Sequence, residues 1–242
     1  MSSRSAVAEN LESVRRRLDA AARRARRDPA SVTLVAVSKT FPADRVREAV
    51  EAGQRVFGEN KVQEGADKAR TLAADGHDDL RWHLIGHLQS NKAKKAAEAF
   101  SCVETVDSVA LAGRLGAAAA AAGRRIQVFV QADLAGEATK SGAPEADVPA
   151  VARAVLDQPA LDLRGLMILP PFPDDPEDSR PWFRRLRELR DRLVANGLPA
   201  DHLADLSMGM SHDFEVAIEE GATLVRVGTA IFGRRTPPAA AP

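Results

Sequence analysis

The sequence contains one cysteine, no tyrosine, and equal numbers of acidic and basic residues, 34 of each. Because Cys102 has no partner in the chain, no internal disulfide can form, and a reducing compartment is expected. The net charge of zero gives no global attraction to nucleic acid or to an anionic membrane. No apolar run approaches the roughly 18 to 20 residues that cross a bilayer, and the N-terminus lacks the apolar stretch of a signal peptide. We therefore expect a cytoplasmic protein that binds neither nucleic acid nor membrane.

What the sequence does contain is a regular alternation of two patterns. Short runs rich in β-branched and other apolar residues alternate with stretches in which apolar residues recur every three or four positions. Eight strand candidates result, at 33–38, 55–57, 82–85, 102–106, 126–130, 163–168, 203–207 and 223–227. This number of strands, separated by helices, predicts an α/β fold, a (β/α)8 TIM barrel. A doubly wound open sheet is the second choice, which the lack of a G-x-G-x-x-G motif after the first strand weakens.

The ends of the chain and of its helices carry further signals. We predict a single domain over about residues 1–234, in which an extra amphipathic helix at about 5–27 precedes the barrel. Residues 235–242 are rich in proline and alanine and are predicted to be disordered. Asn60, followed three residues later by Gln63, predicts a capping box at the start of a helix.

In a barrel, the carboxyl ends of the strands carry function. The junctions after strands seven and eight, SMGMS at 207–211 and VRVGTAIFG at 225–233, are rich in glycine and hydroxyl residues. The loops at these two places are the frequent phosphate site of barrels. Ser211 is predicted to cap a helix there, and free N–H groups at a helix start favour an anion. Arg226 can offer a planar set of donors to a phosphate or to a ring nitrogen.

Lys39 stands at the tip of the first strand, in LVAVSKTFP at 34–42. Partial desolvation of a lysine amine favours its neutral form, which condenses with an aldehyde or ketone to a Schiff base. Opposite a phosphate site, such a lysine suggests two ligands: pyridoxal 5′-phosphate (PLP), or a phosphorylated sugar as in class I aldolases. In the alternative interpretation Lys39 has no binding role and its side chain extends to a loop carboxylate.

Seven strings along the chain resemble one known family. AVSKTFP, VFGENKVQE, WHLIGHLQSNK, KSG, RGLM, LSMGMSHDFEVAI and VRVGTAIFG occur in the order found in the pyridoxal phosphate homeostasis proteins, from about residue 33 to 234. That family consists of single-domain PLP binders related to the N-terminal barrel of alanine racemase. The run MILPPFP at 167–173 departs from a more usual MAIP-like run, so contacts from this loop are not carried over.

The resemblance implies a role for individual residues. It makes Lys39 the lysine that forms an aldimine with PLP, and it assigns phosphate contacts to Ser211, Gly228 and Thr229. It places Arg226 beside the cofactor, Asn60 in the pocket wall, and the backbone of Met210 next to the phosphate. Lys140, the lysine of KSG, is a candidate second PLP site. Apart from the resemblance, the position of His87 at the end of the third strand makes it a candidate for the pocket lining.

The resemblance also implies a non-catalytic role, in which PLP is sequestered and supplied to client enzymes. Alanine racemases use a lysine and a tyrosine from a second domain, whereas this chain has no tyrosine and no second β-rich domain. Two alternatives stay open: a fold-type III PLP enzyme, such as an amino-acid racemase or decarboxylase, and a Schiff-base aldolase. A monomer is expected.

Other polar residues receive a simpler interpretation. His83 and His87 straddle a strand end and would not share one face, so no metal site is predicted. Cys102 begins an apolar strand and is interpreted as an inert core residue. Lys92, Lys94 and Lys95 are interpreted as a solvated helix face. Glu59, at the second strand end, is either a general base or a partner for an arginine or lysine.

Overall fold

A computed structural model describes residues 5–136 and 141–234. Its main strands are β1 (Thr33–Val37), β2 (Val56–Glu59), β3 (Arg81–Leu84), β4 (Cys102–Val106), β5 (Ile126–Asp133), β6 (Leu161–Ile168), β7 (Asp205–Met210) and β8 (Leu224–Val227). Its α-helices are α1 (Ala6–Arg24), α2 (Ala43–Glu51), α3 (Val62–Ala74), α4 (Ala93–Ala99), α5 (Val109–Ala121), α6 (Val148–Leu156), α7 (Arg180–Ala195), α8 (Phe214–Glu219) and α9 (Thr229–Phe232). The elements alternate as the sequence pattern predicts.

The eight strands form a closed parallel barrel. Each strand pairs with the next along the chain, and β8 pairs with β1 to close the ring. A two-residue strand, Ala143–Pro144, adds beside the end of β5. The predicted TIM barrel is therefore confirmed, and the open doubly wound sheet is wrong.

Two apolar layers hold the barrel together. Every second strand residue faces the surrounding helices, as Leu34 and Ala36 do on β1, and joins the large core between barrel and helices. Val35 faces the other way, into a small apolar cluster inside the barrel. Because side chains alternate along a strand, Val37 and then Lys39 follow Val35 on the inner side, which directs Lys39 toward the mouth of the barrel.

The N-terminal helix completes the outer layer where the other helices are short. Helices α8 and α9 have only six and four residues, and α1 packs on both of them. Its buried face includes Val7, Leu11, Val14 and Leu18, apolar residues spaced three and four positions apart. Arg17 ties it to α8 through a bidentate pair with Glu215, with both N···O distances at 2.8 Å. None of the helices in residues 5–136 and 141–234 is long and apolar enough to cross a bilayer.

Two predicted helix caps are wrong. Helix α3 begins at Val62, and its N-cap position is Lys61, which makes no side-chain capping hydrogen bond. Asn60 follows directly after β2 and does not cap the helix. Ser211 does not cap α8, whose N-cap position is Asp213. Strand β7 continues to Met210, three residues farther than the pattern predicts. Its pairing with β8 shifts register between Ser207 and Met210, and Gly209 takes a positive φ of 92° at this irregularity. A Cβ at Gly209 would lie 2.5 Å from the Cβ of Ala217, so only glycine fits this turn.

Candidate ligand-binding site at the strand ends

A cavity of about 260 Å³ opens at the carboxyl ends of the strands. Seven residues predicted from the sequence line it: Lys39, Asn60, Met210, Ser211, Arg226, Gly228 and Thr229. They come from β1, β2, β7 and β8 and from the segments that follow these strands, which the barrel brings to one rim. Val37, Phe41, Ile85, Leu169, Phe172 and His212 complete the wall. The cavity is thus partly apolar, with one amine, one guanidinium and a group of hydroxyl and backbone donors.

His87 and Lys140 are the two predicted candidates that are not among these seven residues. The structure places His87 outside the cavity lining, half exposed, with its Nδ1 3.5 Å from the Asp107 carboxylate. The structure therefore does not bring His87 together with the seven residues that line the cavity. Lys140 and the tail at 235–242 lie outside the described residues.

Asn60 packs against Gly86, the residue that follows β3 and has no side chain. A Cβ at Gly86 would lie 2.2 Å from the Asn60 carbonyl oxygen and 2.7 Å from its Cα. The glycine after β3 therefore lets the backbone at the end of β2 approach closely. This contact explains why Asn60 belongs to the strand end instead of capping helix α3.

The junctions after β7 and β8 form one donor cluster. Ser211 Oγ accepts hydrogen bonds from the backbone N–H groups of Gly228, at 3.1 Å, and Ala230, at 3.4 Å. Asp213 holds the turn, since its Oδ1 accepts from the Met210 N–H at 2.7 Å. A Cβ at Gly228 would lie 3.2 Å from the Val37 carbonyl oxygen, so the first and last strands are closely packed here. Ser211 therefore bridges both loops, and its hydroxyl, which accepts in these contacts, can donate its own hydrogen to a phosphate.

Arg226 lines the cavity and is the first member of a series of hydrogen-bonded polar side chains inside the barrel. Its Nη1 donates to Ser207 Oγ at 2.5 Å and its Nη2 to the Ile168 carbonyl at 2.7 Å. The Ser207 hydroxyl donates to Glu104 Oε2 at 2.6 Å, and His83 Nδ1 lies 2.7 Å from Glu104 Oε1. These hydrogen bonds fix the guanidinium plane of Arg226, because a buried arginine with two bound nitrogens has little freedom to rotate.

The buried charges of Glu104 and Arg226 compensate each other. Burial alone would raise the pKa of Glu104, but the hydrogen bond and charge of His83, together with Arg226 and Ser207, hold the pKa below its ordinary value. Burial lowers the pKa of Arg226, and the Glu104 charge opposes this effect. A buried carboxylate between two basic groups is therefore the stable arrangement.

His83, Cys102 and Glu104 also present donor atoms within 4.8 Å of one another. Burial, followed by the Glu104 charge, raises the pKa of the Cys102 thiol well above its ordinary value. Both carboxylate oxygens of Glu104 are already engaged, Oε1 with His83 and Oε2 with Ser207, so this cluster is explained as a hydrogen-bonded part of the barrel interior. The predicted assignment of Cys102 to the core agrees with its complete burial.

Glu59 lies behind the cavity and not in it. Its Oε1 accepts hydrogen bonds from Lys68 Nζ and from Ser38 Oγ, both at 2.7 Å. Burial raises the pKa of Glu59, and the charge and hydrogen bond of Lys68 offset this effect only in part. Of the two interpretations of Glu59, the structure shows the partner of a lysine, which is Lys68.

Phe172 and His212 are cavity residues that sequence reasoning did not identify. Their rings pack at the mouth, with centroids 5.0 Å apart, and Phe172 is 68% exposed. The Nε2 of His212 is buried without a hydrogen-bond partner among the residues that the structure describes. The only signal in the sequence was the unusual MILPPFP run, which contains Phe172.

Comparison with known proteins gives consistent matches over nearly the whole chain. The family profile described as "Alanine racemase, N-terminal domain" matches residues 9–236. The pyridoxal phosphate homeostasis protein of Pseudomonas aeruginosa is 48% identical over 231 residues, which cover 96% of this chain and 96% of that protein. The protein of that name in Escherichia coli K12 is 45% identical over 232 residues, 95% of this chain and 97% of its own length.

A solved structure shows the same fold. PipY of Synechococcus elongatus PCC7942, determined with PLP bound, superposes with a TM-score of 0.81 and 40% sequence identity. The match covers 94% of this chain and 100% of that one. The agreement therefore extends over the whole barrel and its rim.

Proposed function

The chain belongs to the family of pyridoxal phosphate homeostasis proteins, and on this premise we propose that it binds PLP without catalysis, sequestering the cofactor and supplying it to other enzymes. The observation that carries the proposal is the position of Lys39 in one cavity with the donor cluster of Ser211, Gly228 and Thr229. An amine and a phosphate-binding cluster in one pocket match the two groups of PLP that react or carry charge, the aldehyde and the phosphate.

The chain's own residues account for both parts of binding. The hydroxyl groups of Ser211 and Thr229 donate to the phosphate beside Gly228, and Arg226 adds a fixed positive charge. The Lys39 nitrogen bonds to the aldehyde carbon, and the aldehyde oxygen leaves as water with both amine protons. This Schiff base is reversible, so the cofactor can be released again by water. It also masks an aldehyde that reacts with amines in general.

The cavity offers little support for amino-acid catalysis. Racemisation of the two-base kind needs a second acid or base opposite the lysine, and the chain has no tyrosine to supply one. Within the cavity lining, the titratable side chains are Lys39, His212 and Arg226. Arg226 is held by Ser207 and Ile168, and His212 packs against Phe172 at the mouth. We therefore favour a carrier over a fold-type III racemase or decarboxylase.

Absorbance spectroscopy tests the proposal. Purified protein saturated with PLP is expected to show a visible aldimine band that Lys39→Ala abolishes. The exposed Lys92 provides a matched control, because Lys92→Ala removes a lysine that does not line the cavity and should leave the band unchanged. A colourless wild-type protein would refute the proposal. Trapping of a sugar phosphate instead of PLP by borohydride would favour the aldolase alternative, and solvent exchange of amino-acid α-protons at catalytic rates would favour the enzyme.

Delivery to client enzymes and a monomeric state are further parts of the proposal. Among the described residues, the exposed large hydrophobic side chains are Val109, at the start of α5, and Phe172, after β6, so they belong to separate elements and form no extended apolar patch. We therefore propose a monomer, acting in a reducing cytoplasm, that releases PLP through the cavity mouth. Sedimentation at several concentrations tests the oligomeric state. Delivery is tested by the rate at which the PLP-loaded protein activates an apo-enzyme, which should exceed the rate with PLP condensed to the free amino acid lysine.

A further inference from the structure

Helix α3 holds the backbone on both sides of Lys39. On one side, Lys68 Nζ donates to the Ser38 carbonyl at 2.7 Å. On the other, Glu64 Oε1 accepts from the Thr40 N–H at 2.5 Å. Lys68 and Glu64 lie one turn apart on α3 and are joined by an ion pair of 2.8 Å. The two peptide groups that flank Lys39 are thus tied to one pair of side chains.

The lysine of this pair is built into the protein interior. Lys68 is 7% exposed and gives its three ammonium donors to Ser38, Glu59 and Glu64. Glu59 is fully buried and also accepts from the Ser38 hydroxyl. Buried charges are costly unless they are paired and hydrogen-bonded. The Lys68–Glu64 pair meets this condition only through its bonds to the backbone on both sides of Lys39 and to Glu59.

The backbone beside Lys39 needs such support. Thr40 has a φ of 69°, in the left-handed region that β-branched residues rarely adopt. Conformations of this kind persist only where the surroundings determine them. Here the Glu64 carboxylate binds the Thr40 N–H, and the Phe41 N–H closes the turn on the Ser38 carbonyl at 3.1 Å.

We propose that Lys68 and Glu64 are positioning residues that direct the Lys39 amine into the cavity and thereby set the equilibrium of its covalent attachment to PLP. This inference rests on the proposed function. The phosphate donors follow β7 and β8, and the hydrogen bonds that hold these loops run to Ser211 and Asp213 and not to α3. Loss of the pair therefore weakens covalent attachment while non-covalent binding of the phosphate persists.

Two ligands separate these effects. PLP reports covalent attachment, measured as the fraction of protein that borohydride reduction labels on Lys39, by mass spectrometry. Pyridoxine 5′-phosphate carries an alcohol in place of the aldehyde and cannot form a Schiff base, so its affinity reports the phosphate site alone. For Glu64→Ala we expect the equilibrium constant of attachment to fall about tenfold, equivalent to about 1.4 kcal/mol. The affinity for pyridoxine 5′-phosphate should stay at the wild-type value.

The chain offers matched variants. The Glu64 side chain is 25% exposed in the first turn of α3, so alanine should be tolerated. Glu64→Gln keeps an acceptor for the Thr40 N–H and should restore attachment toward wild type. Asp67→Ala removes a more exposed carboxylate from the same helix and should leave both ligands unaffected. Lys68→Met, which leaves two carboxylates without their partner, is a second test if it folds.

The possible failures can be told apart. If wild-type protein does not attach PLP at all, the proposed function fails and this inference fails with it. If wild type attaches PLP and Glu64→Ala does so equally well, the positioning role alone is refuted. Equal losses of PLP and of pyridoxine 5′-phosphate in Glu64→Ala would show general damage to the pocket and would likewise refute it.

Discussion

Arg226 and Glu104 face each other inside the barrel, with 3.9 Å between Nη1 and Oε2, and the Ser207 hydroxyl bonds to both. Both side chains are almost completely buried. Removing one partner of such a pair leaves the other as an uncompensated buried charge. The pair therefore links the stability of the barrel to the orientation of a residue that lines the cavity.

Replacing Glu104 by glutamine should strongly destabilise the protein. The amide keeps the shape and an acceptor for Ser207 but removes the negative charge, which leaves Arg226 unpaired. We expect a loss of about 3 kcal/mol in the free energy of unfolding, measured by urea denaturation. Glu177→Gln is the control, because its pair with Arg180 is solvent-exposed on the Glu177 side and should contribute less than about 1 kcal/mol. Similar losses in both variants would contradict the role assigned to Glu104.

The same residue makes a prediction about pH. The folded pKa of Glu104 lies below the ordinary value of 4.5, so its ionised form stabilises the folded state. This contribution is fully present above about pH 4.5 and is lost as the pH falls through the lower, folded pKa. The difference in unfolding free energy between wild type and Glu104→Gln should thus be largest near neutral pH and shrink below pH 4.5. A difference that grows on acidification would have the wrong sign.

Sequence reasoning succeeded where a local signal was strong. Strand and helix periods are properties of short segments, so the barrel followed from eight of them. Lys39 and Ser211 stand at strand ends, and closure of the barrel alone brings them to one rim.

Sequence reasoning failed where a contact is remote. Ser211 was assigned to a helix cap, yet its hydroxyl binds N–H groups 17 and 19 residues away. Glu104 binds Ser207, which is 103 residues away, and nothing local distinguishes it from a surface carboxylate. His87 looked like a pocket residue because it follows β3, but the direction of a loop side chain depends on packing. Strand ends are thus predictable, whereas hydrogen-bond partners across the barrel are not.

Ser211→Ala should weaken ligand binding without a large change in stability. The substitution removes a hydroxyl that bridges the loops after β7 and β8 and that is a donor for the phosphate. Hydrogen bonds to charged groups contribute about 1.5 to 3 kcal/mol, so we expect an affinity for PLP roughly 10- to 100-fold lower. Equilibrium dialysis measures this change. Ser31→Ala, on an exposed loop before β1, serves as control, and unchanged binding in Ser211→Ala would contradict the phosphate assignment.

Phe172→Ala should open the mouth of the cavity. Its ring packs on His212 and lines the cavity while remaining 68% exposed, so its removal should expose the interior to solvent and leave the core intact. Aromatic pairs contribute about 0.5 to 1.5 kcal/mol, which corresponds to PLP release roughly 2- to 10-fold faster. Stopped-flow mixing with hydroxylamine, which captures the aldehyde, measures this rate. Val109→Ala removes the other exposed hydrophobic side chain, 53% exposed and absent from the cavity lining, and should not change it. If both variants released PLP at the wild-type rate, Phe172 would not be a barrier to exchange, and the barrier would lie in the Lys39 bond itself.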